Sequence, residues 1–419
     1  MTGGQTVKGA HGALMVLGLI NLLNYLDRYI VAGVLPKIER EFGINHAAAG
    51  AVGTVFIVVY MVVSPISGYL GDRIQRRYLV AASVMIWSLA TVASGLAGSF
   101  LALLLARAVI GVGEAGYATV APAIIADLYP KTLRTRMLAF FYVAIPVGAA
   151  AGYGLGGWIG ETWSWRMAFF VGGAPGLVLA LLMLRVPEPP RGASEVGHDA
   201  NQRVPLAESL RVVSRTPMFW FNSVGLTMMT FSIGGLAYWM PSFLELERGF
   251  SATQSGIQFG AVTAVAGLSG TLVGGVLGDW AERKREGGGM WVSGFGLLLA
   301  APLMFLAATG RTPLTIFSLL FAAQFLLFLN SGPINAAILN CVSPSLRSFT
   351  MGLSTLMIHL FGDAISPPVI GGIAQASSLE RAIELNAIPV LVGGAVLVAG
   401  AVYFAKGDRL LLPTPANRS

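Results

Sequence analysis

The chain has 419 residues, of which 55% are apolar and only 11% charged, where soluble domains carry roughly a quarter of charged residues. A globular body of this size has far too much water-facing surface for so few charges, so lipid must be the solvent around most of the chain. One cysteine, Cys341, excludes an internal disulfide or a cysteine-based metal site, and four scattered histidines point to no metal cluster.

A membrane-crossing helix needs about 20 apolar residues, and runs without Asp, Glu, Lys or Arg fill the sequence. In chain order, spans are predicted at 12–35, 47–71, 78 to the Ser94-Gly95 break, 100–127, 137–160 and 167–184. The first exceeds a signal-peptide core, carries Asp27-Arg28 and lacks a small-residue cleavage site, so it is read as a helix that stays. A polar stretch, 187–215, with Pro187, Pro189 and Pro190, follows. Six more spans come after it: 216–244, 249–278, 287–310, 312 to the Ser343-Pro344-Ser345 break, 348–373 and 385–405. The expected fold is an all-α integral membrane protein, twelve transmembrane helices in two pseudo-symmetric six-helix bundles, 1–186 and 216–419, joined by the 187–215 linker. The linker's second half, Pro205 to Val213, has helical spacing and reads equally as an interfacial helix or a polar tether.

Twelve spans put both termini on one side. Nineteen of the 27 basic residues fall on that side, including Lys8, Arg73, Arg76, Arg77, Lys131, Arg134, Arg203, Arg283, Lys406, Arg409 and Arg418, with six opposite and Arg28 and Arg107 inside the membrane. The net charge of +7 is therefore a positive-inside pattern and not a nucleic-acid footprint. It predicts a multi-pass protein of the cell inner (plasma) membrane with cytoplasmic termini.

The loop Gly68-Tyr-Leu-Gly71-Asp72-Arg73-Ile-Gln-Arg76-Arg77 recurs 207 residues later as Gly275-Val-Leu-Gly278-Asp279-Trp-Ala-Glu-Arg283-Lys284. Pro130 with Arg134 is echoed by Pro344 with Arg347. A duplicated six-helix unit implies a transporter with its site at the midplane between the halves. The two Gly-x-Leu-Gly-Asp loops, Arg107-x-x-x-Gly111-x-Gly113, Asp127-x-x-Pro130-x-x-x-Arg134 and the run Gly148, Gly152, Gly156, Gly157 together resemble the major facilitator superfamily over the whole chain. Asn24-Tyr-Leu-Asp27-Arg28-Tyr, Gly113-Glu114-Ala and His359-Leu-Phe-Gly-Asp363-Ala-Ile-Ser-Pro resemble its spinster branch. That resemblance implies proton-linked movement of lysophospholipids or sphingoid phosphates by alternating access, driven by the proton gradient without a cofactor. Gln75, Trp280 and Tyr153 depart from the family pattern, and antiport is not carried over.

An ionisable residue at bilayer depth costs at least about 2.5 to 3.5 kcal/mol, so each should face a wet cavity or a partner. Asp27, Arg28, Arg107, Glu114, His359 and Asp363 are such residues. Depth matching predicts that Asp27 faces Arg107 and Arg28 faces Glu114, with the crossed pairing also compatible. Asp27, Glu114, His359 and Asp363 are the candidate proton sites; Arg28 and Arg107 would take an anionic head, with Asn24, Tyr25, Tyr60, Asn330 and Asn335 beside it. An anion that takes the arginine frees a poorly solvated acid to bind a proton. The plainer alternatives are a permanent ion-pair lattice and, in span 11, an Asp363 that caps a break before Pro367-Pro368. Gly68, Gly71, Asp72, Arg73, Arg76, Arg77, Asp127, Arg134, Asp279 and Arg283 form the candidate cytoplasmic gate, Asp72 meeting a helix amino terminus across the interface and Arg76 or Arg77 meeting Asp127.

Buried amides are too sparse for a sugar carrier, whose substrate hydroxyls all need partners. Aromatic residues with paired arginines suit an amphiphilic anion; a small carboxylate or phosphate ester is the alternative. No Gly-x-Ser-x-Gly, His-Glu-x-x-His or phosphate-binding loop occurs, so no catalytic residue and no metal is expected. Membrane lipid, protons and substrate are the expected partners of a chain that acts as a monomer.

Overall fold

The computed structural model describes residues 6–44, 46–193, 204–250 and 252–405. Linker residues 194–203, with Arg203, and the tail carrying Lys406, Arg409 and Arg418 lie outside the described residues. The first half comprises α1 (Ala10–Phe42), α2 (His46–Gly71), α3 (Arg76–Gly95), α4 (Phe100–Leu128), a fifth span made of α5 (Lys131–Tyr142) and α6 (Ala144–Thr162), and α7 (Trp165–Met183). The linker contributes α8 (Leu206–Ser214). The second half comprises α9 (Pro217–Arg248), α10 (Ala252–Lys284), α11 (Gly288–Thr309), a span of α12 (Pro313–Phe328) and α13 (Ser331–Asn340), one of α14 (Arg347–Ile358) and α15 (Ser366–Ala376), and one of α16 (Leu379–Leu385) and α17 (Ala387–Ala405).

Among the described residues, eleven spans are long and apolar enough to cross a membrane. The 32-residue α9 completes the twelve. Its apolarity is diluted by Asn222, Ser223, Thr227 and Ser232, all buried in the bundle. Helix starts follow local chemistry: Ser99 and Ser164 accept from Ala102 N and Met167 N, each at 3.2 Å, as N-caps. At the other end of α1, Gly43 takes the left-handed conformation (φ 62°) that closes a helix C-terminus.

Within the first half α1 packs on α6, α2 on α4 and α3 on α4 and α7; within the second, α11 and α9 pack on α17 and α10 on α12. Small residues set the closest approaches: a Cβ on Gly148 would stand 2.7 Å from Tyr25 Cβ, so α6 lies backbone to backbone on α1. The halves meet along two equivalent seams, α2 with α14 and α5 with α10.

The linker is stapled to the first half. Glu188 accepts from Arg76 N (2.7 Å) and Arg77 N (3.4 Å) at the start of α3, Arg191 donates to Ile74 O (3.0 Å), and Gly192 N donates to Asp127 (3.0 Å). Further along, Arg73 donates to Val204 O at 2.7 Å. Contacts between the halves run from Asp72 with Phe349 at this linker end to Tyr60 with His359. The bundle is closed at the linker end.

Candidate functional site

Arg28 of α1 meets Glu114 of α4, with Nη2 at 2.6 Å and Nε at 3.2 Å from Oε2. The Glu114 side chain is fully buried and that of Arg28 is 15% exposed, so one partner of the pair keeps some access from outside. Three aromatic rings wall the Arg28 guanidinium, Tyr25 at 5.0 Å and Phe56 and Tyr60 at 4.9 Å. Phe56 also carries Arg107 at 5.0 Å, so one ring holds two guanidinium groups.

Arg107 is the opposite charge that acts most strongly on Asp27, as the expected pairing has it, but the two are not in contact. Asp27 Oδ2 accepts from Thr91 Oγ1 of α3 at 2.5 Å, and among the described residues no ion pair joins it to Arg107. The reason is positional: Thr91 holds the carboxylate on the α3 side while Phe56 of α2 holds Arg107. Thr91 escaped the sequence reading because a lone threonine in an apolar helix carries no signal. Asn24 Nδ2, Asp27 Oδ1, Glu114 Oε1 and Arg107 Nε and Nη1 are buried without a partner. Buried polar atoms are rarely left so, and five together mark a place for water or a bound anion.

In the second half His359 Nδ1 lies 3.0 Å from both Asp363 carboxylate oxygens. The two sit at the ends of a π-helical turn, His359–Asp363, in which Gly362 leaves helical geometry (φ −103°, ψ −107°). Asp363 is 30% exposed at its side chain. Tyr60 packs T-shaped on His359 with centroids 5.1 Å apart. Asn330 and Asn335 spend their amide donors on their own helix, on Leu326 O and Leu327 O (both 3.0 Å) and on Ser331 O (2.8 Å) respectively.

At the linker end Asp72 accepts from Ser348 N (3.1 Å) and Phe349 N (2.8 Å), the amino terminus of α14. Asp279 accepts from Arg136 N (3.2 Å) in the second turn of α5 and pairs with the Arg136 side chain at 3.5 Å. Both copies of the repeated loop thus place an acid of one half on a helix of the other, Asp72 on the amino terminus of α14, where the helix dipole favours it, and Asp279 on Arg136. Arg76 bridges Asp72 (2.8 Å) and Asp127 (2.5 Å), and Arg347 meets the other oxygen of Asp127 (2.5 Å). Arg134 bonds Asn340 and Ala126 O, the latter at 2.6 Å. Gly68 and Gly71 let the helices close: a Cβ on Gly68 would stand 2.9 Å from Phe349 Cα. Arg77 reaches Tyr78 Oη (3.1 Å) and not Asp127, and Arg283 is exposed.

Two bundles of six spans around a buried charged centre define a membrane transporter. The sequence profile of the Major Facilitator Superfamily matches residues 17–367. Protein spinster homolog 1 of Bos taurus is 38% identical over 443 residues, covering 96% of this chain and 83% of the relative. That of Homo sapiens is 37% identical, covering 94% and 81%. Among solved structures, a bacterial homolog to the human lysosomal transporter spinster, inward-facing and unoccupied, superposes with a TM-score of 0.66 at 25% identity, covering 96% of this chain and 99% of that one. The chain belongs to the major facilitator superfamily, in its spinster branch, and is a multi-pass membrane transporter rather than an enzyme.

Proposed function

We propose that the protein is a proton-coupled secondary carrier of lysophospholipid, sphingoid phosphate or a similar amphiphilic anion, working by alternating access as a monomer. The observation that carries this reading is the half-open ion pair: Arg28 keeps 15% of its side chain exposed inside an aromatic wall while its partner Glu114 is fully buried. An anionic head that takes Arg28 leaves Glu114 as a buried charge without its counter-charge. Such a group is strongly unfavourable until it takes a proton. Proton uptake and anion binding then favour each other, as coupled sites must. Arg107, with two unpartnered nitrogens, supplies a second point for the same head, and Asp27 a second acid. The rings of Tyr25, Phe56 and Tyr60 suit the apolar part of an amphiphile. With the arginine-rich linker end cytoplasmic in the cell inner membrane, as the positive-inside pattern implies, the present state faces outward.

The test is flux of labelled lysophospholipid into proteoliposomes with and without a pH gradient. Gradient-dependent flux is expected, and Glu114→Gln should lose at least about tenfold of it, the scale of removing one charge-assisted partner. Flux of small carboxylates or phosphate esters in place of lysophospholipid moves the substrate to a small organic anion; an undiminished Glu114→Gln removes that residue from proton coupling.

A further inference from the structure

The two acid-base pairs of the centre lie in different halves, and among the described residues no ion pair connects them. One side chain touches both. Tyr60 of α2 has its ring centroid 4.9 Å from the Arg28 guanidinium carbon and 5.1 Å from the His359 ring. It is 5% exposed and stacks on Phe56, 5.7 Å away at 28° and one turn along α2. Its backbone is pinned as well, because Ser64 Oγ donates to Tyr60 O at 2.6 Å. On the same turn Gly352 of α14 comes so close that a Cβ there would lie 2.9 Å from Ser64 C and 3.0 Å from Pro65 Cα. Tyr60 therefore stands on the closed seam between α2 and α14 and bridges it to the His359–Asp363 turn.

Resting on the carrier reading above, we infer that Tyr60 is the positioning residue that couples the Arg28–Glu114 pair to the His359–Asp363 pair across the interface. Its ring fixes where the Arg28 guanidinium sits, and the same ring fixes the plane of His359. When the seam opens, α2 leaves α14 and one of these contacts must break. A change at Arg28, such as its capture by an anion, alters the cation–π contact that holds the ring. A change at His359, such as gain of a proton beside Asp363, alters the other side of the same ring. Each pair thereby biases one two-state element, the α2–α14 seam, which is the physical requirement for coupling between separate sites. The titratable groups around Tyr60 are Tyr25 and Arg28 from α1, Glu114 and Tyr117 from α4, Tyr142 from α5, and His359 and Asp363 from the π-helical turn.

A double-mutant cycle read by binding tests this separately from transport. Binding of lysophosphatidic acid to the full-length protein in detergent is measured at about pH 5.5 and about pH 7.5, either side of the ordinary histidine range. In the wild type, His359→Gln should change the ratio of affinities at the two values by about fivefold or more, the lower end of ordinary site–site coupling. In a Tyr60→Leu background the same His359→Gln change should have no effect on that ratio, whatever Tyr60→Leu does to affinity itself. Tyr60→Phe, which keeps the ring, should restore the dependence. A His359→Gln effect that survives in Tyr60→Leu, or that is absent from the wild type, overturns the inference. Failure of gradient-driven flux with the cycle intact would sink the carrier reading and leave the coupling standing.

Discussion

Thr91 shows how a single hydroxyl decides the state of the centre. It supplies the hydrogen bond that Asp27 has on Oδ2, while Oδ1 has none. Replacing it with valine, nearly the same shape, removes the donor and leaves a buried carboxylate less satisfied. The expected loss is about 1 to 3 kcal/mol, read as a lower Tm in detergent, with Thr91→Ser close to wild type. An unchanged Tm for Thr91→Val would mean that Asp27 does not depend on this bond. The Arg28–Glu114 pairing was legible in the sequence, because two opposite charges at matching depth in apolar spans have few other partners. The Thr91 bond to Asp27 was not, since nothing in a linear sequence distinguishes Thr91 from any other threonine on a buried face.

At the level of elements, the spans themselves were legible from charge-free runs, but their internal breaks were only partly so. Pro367 and Pro368 lack N–H groups, so the helix before them loses its ordinary donors and the turn at His359–Asp363 widens. The sequence placed the histidine and the aspartate on one face, and the wide turn is what brings both carboxylate oxygens to one ring nitrogen. The far end of the first half offers a pH test. Glu41, beyond the apolar part of α1, accepts from Arg166 Nη1 (2.7 Å) and Trp165 Nε1 (2.6 Å), tying α1 to α7. The Arg166 bond, then that of Trp165, holds the Glu41 carboxyl below its ordinary value. A depressed acid stabilises the fold above its unfolded value and loses that contribution as pH falls through its folded value. Thermal stability should therefore drop on acidification below the ordinary carboxylate range, and Glu41→Gln should remove part of that slope. The effect should be small, because Glu41 is 43% exposed at its side chain. An identical slope in the variant would take the Glu41 contact out of the account.

Across the whole molecule the repeat in the sequence becomes a repeat in the closure: Asp72 on the start of α14 and Asp279 on Arg136 of α5. Which end is closed was not legible, because a carrier uses the same residues in every state and the sequence records all of them at once. Gly352 gives a handle on the balance between states. Its missing side chain admits the α2 backbone, with Pro65 Cα 3.0 Å from where a Cβ would stand. Gly352→Ala should wedge the seam and favour opening of the linker end. In a Cys341→Ser background, maleimide labelling of Ser348→Cys, buried in the closed seam, should then accelerate severalfold. Equal rates would show that the seam yields without opening.

The stapling of Glu188, Arg191 and Gly192 to the first half changes what the linker is. The first half holds the linker as far as Gly192 and again at Val204, whose carbonyl Arg73 bonds. Fully drawn out, the stretch between those two residues reaches at most about 40 Å. Extra residues inserted between Gly192 and Val204 should leave both of these contacts, and rocking of the halves, intact. The same insertion a few positions earlier, between Pro187 and Gly192, would pull Glu188 off the first turn of α3 and disturb the closed end directly.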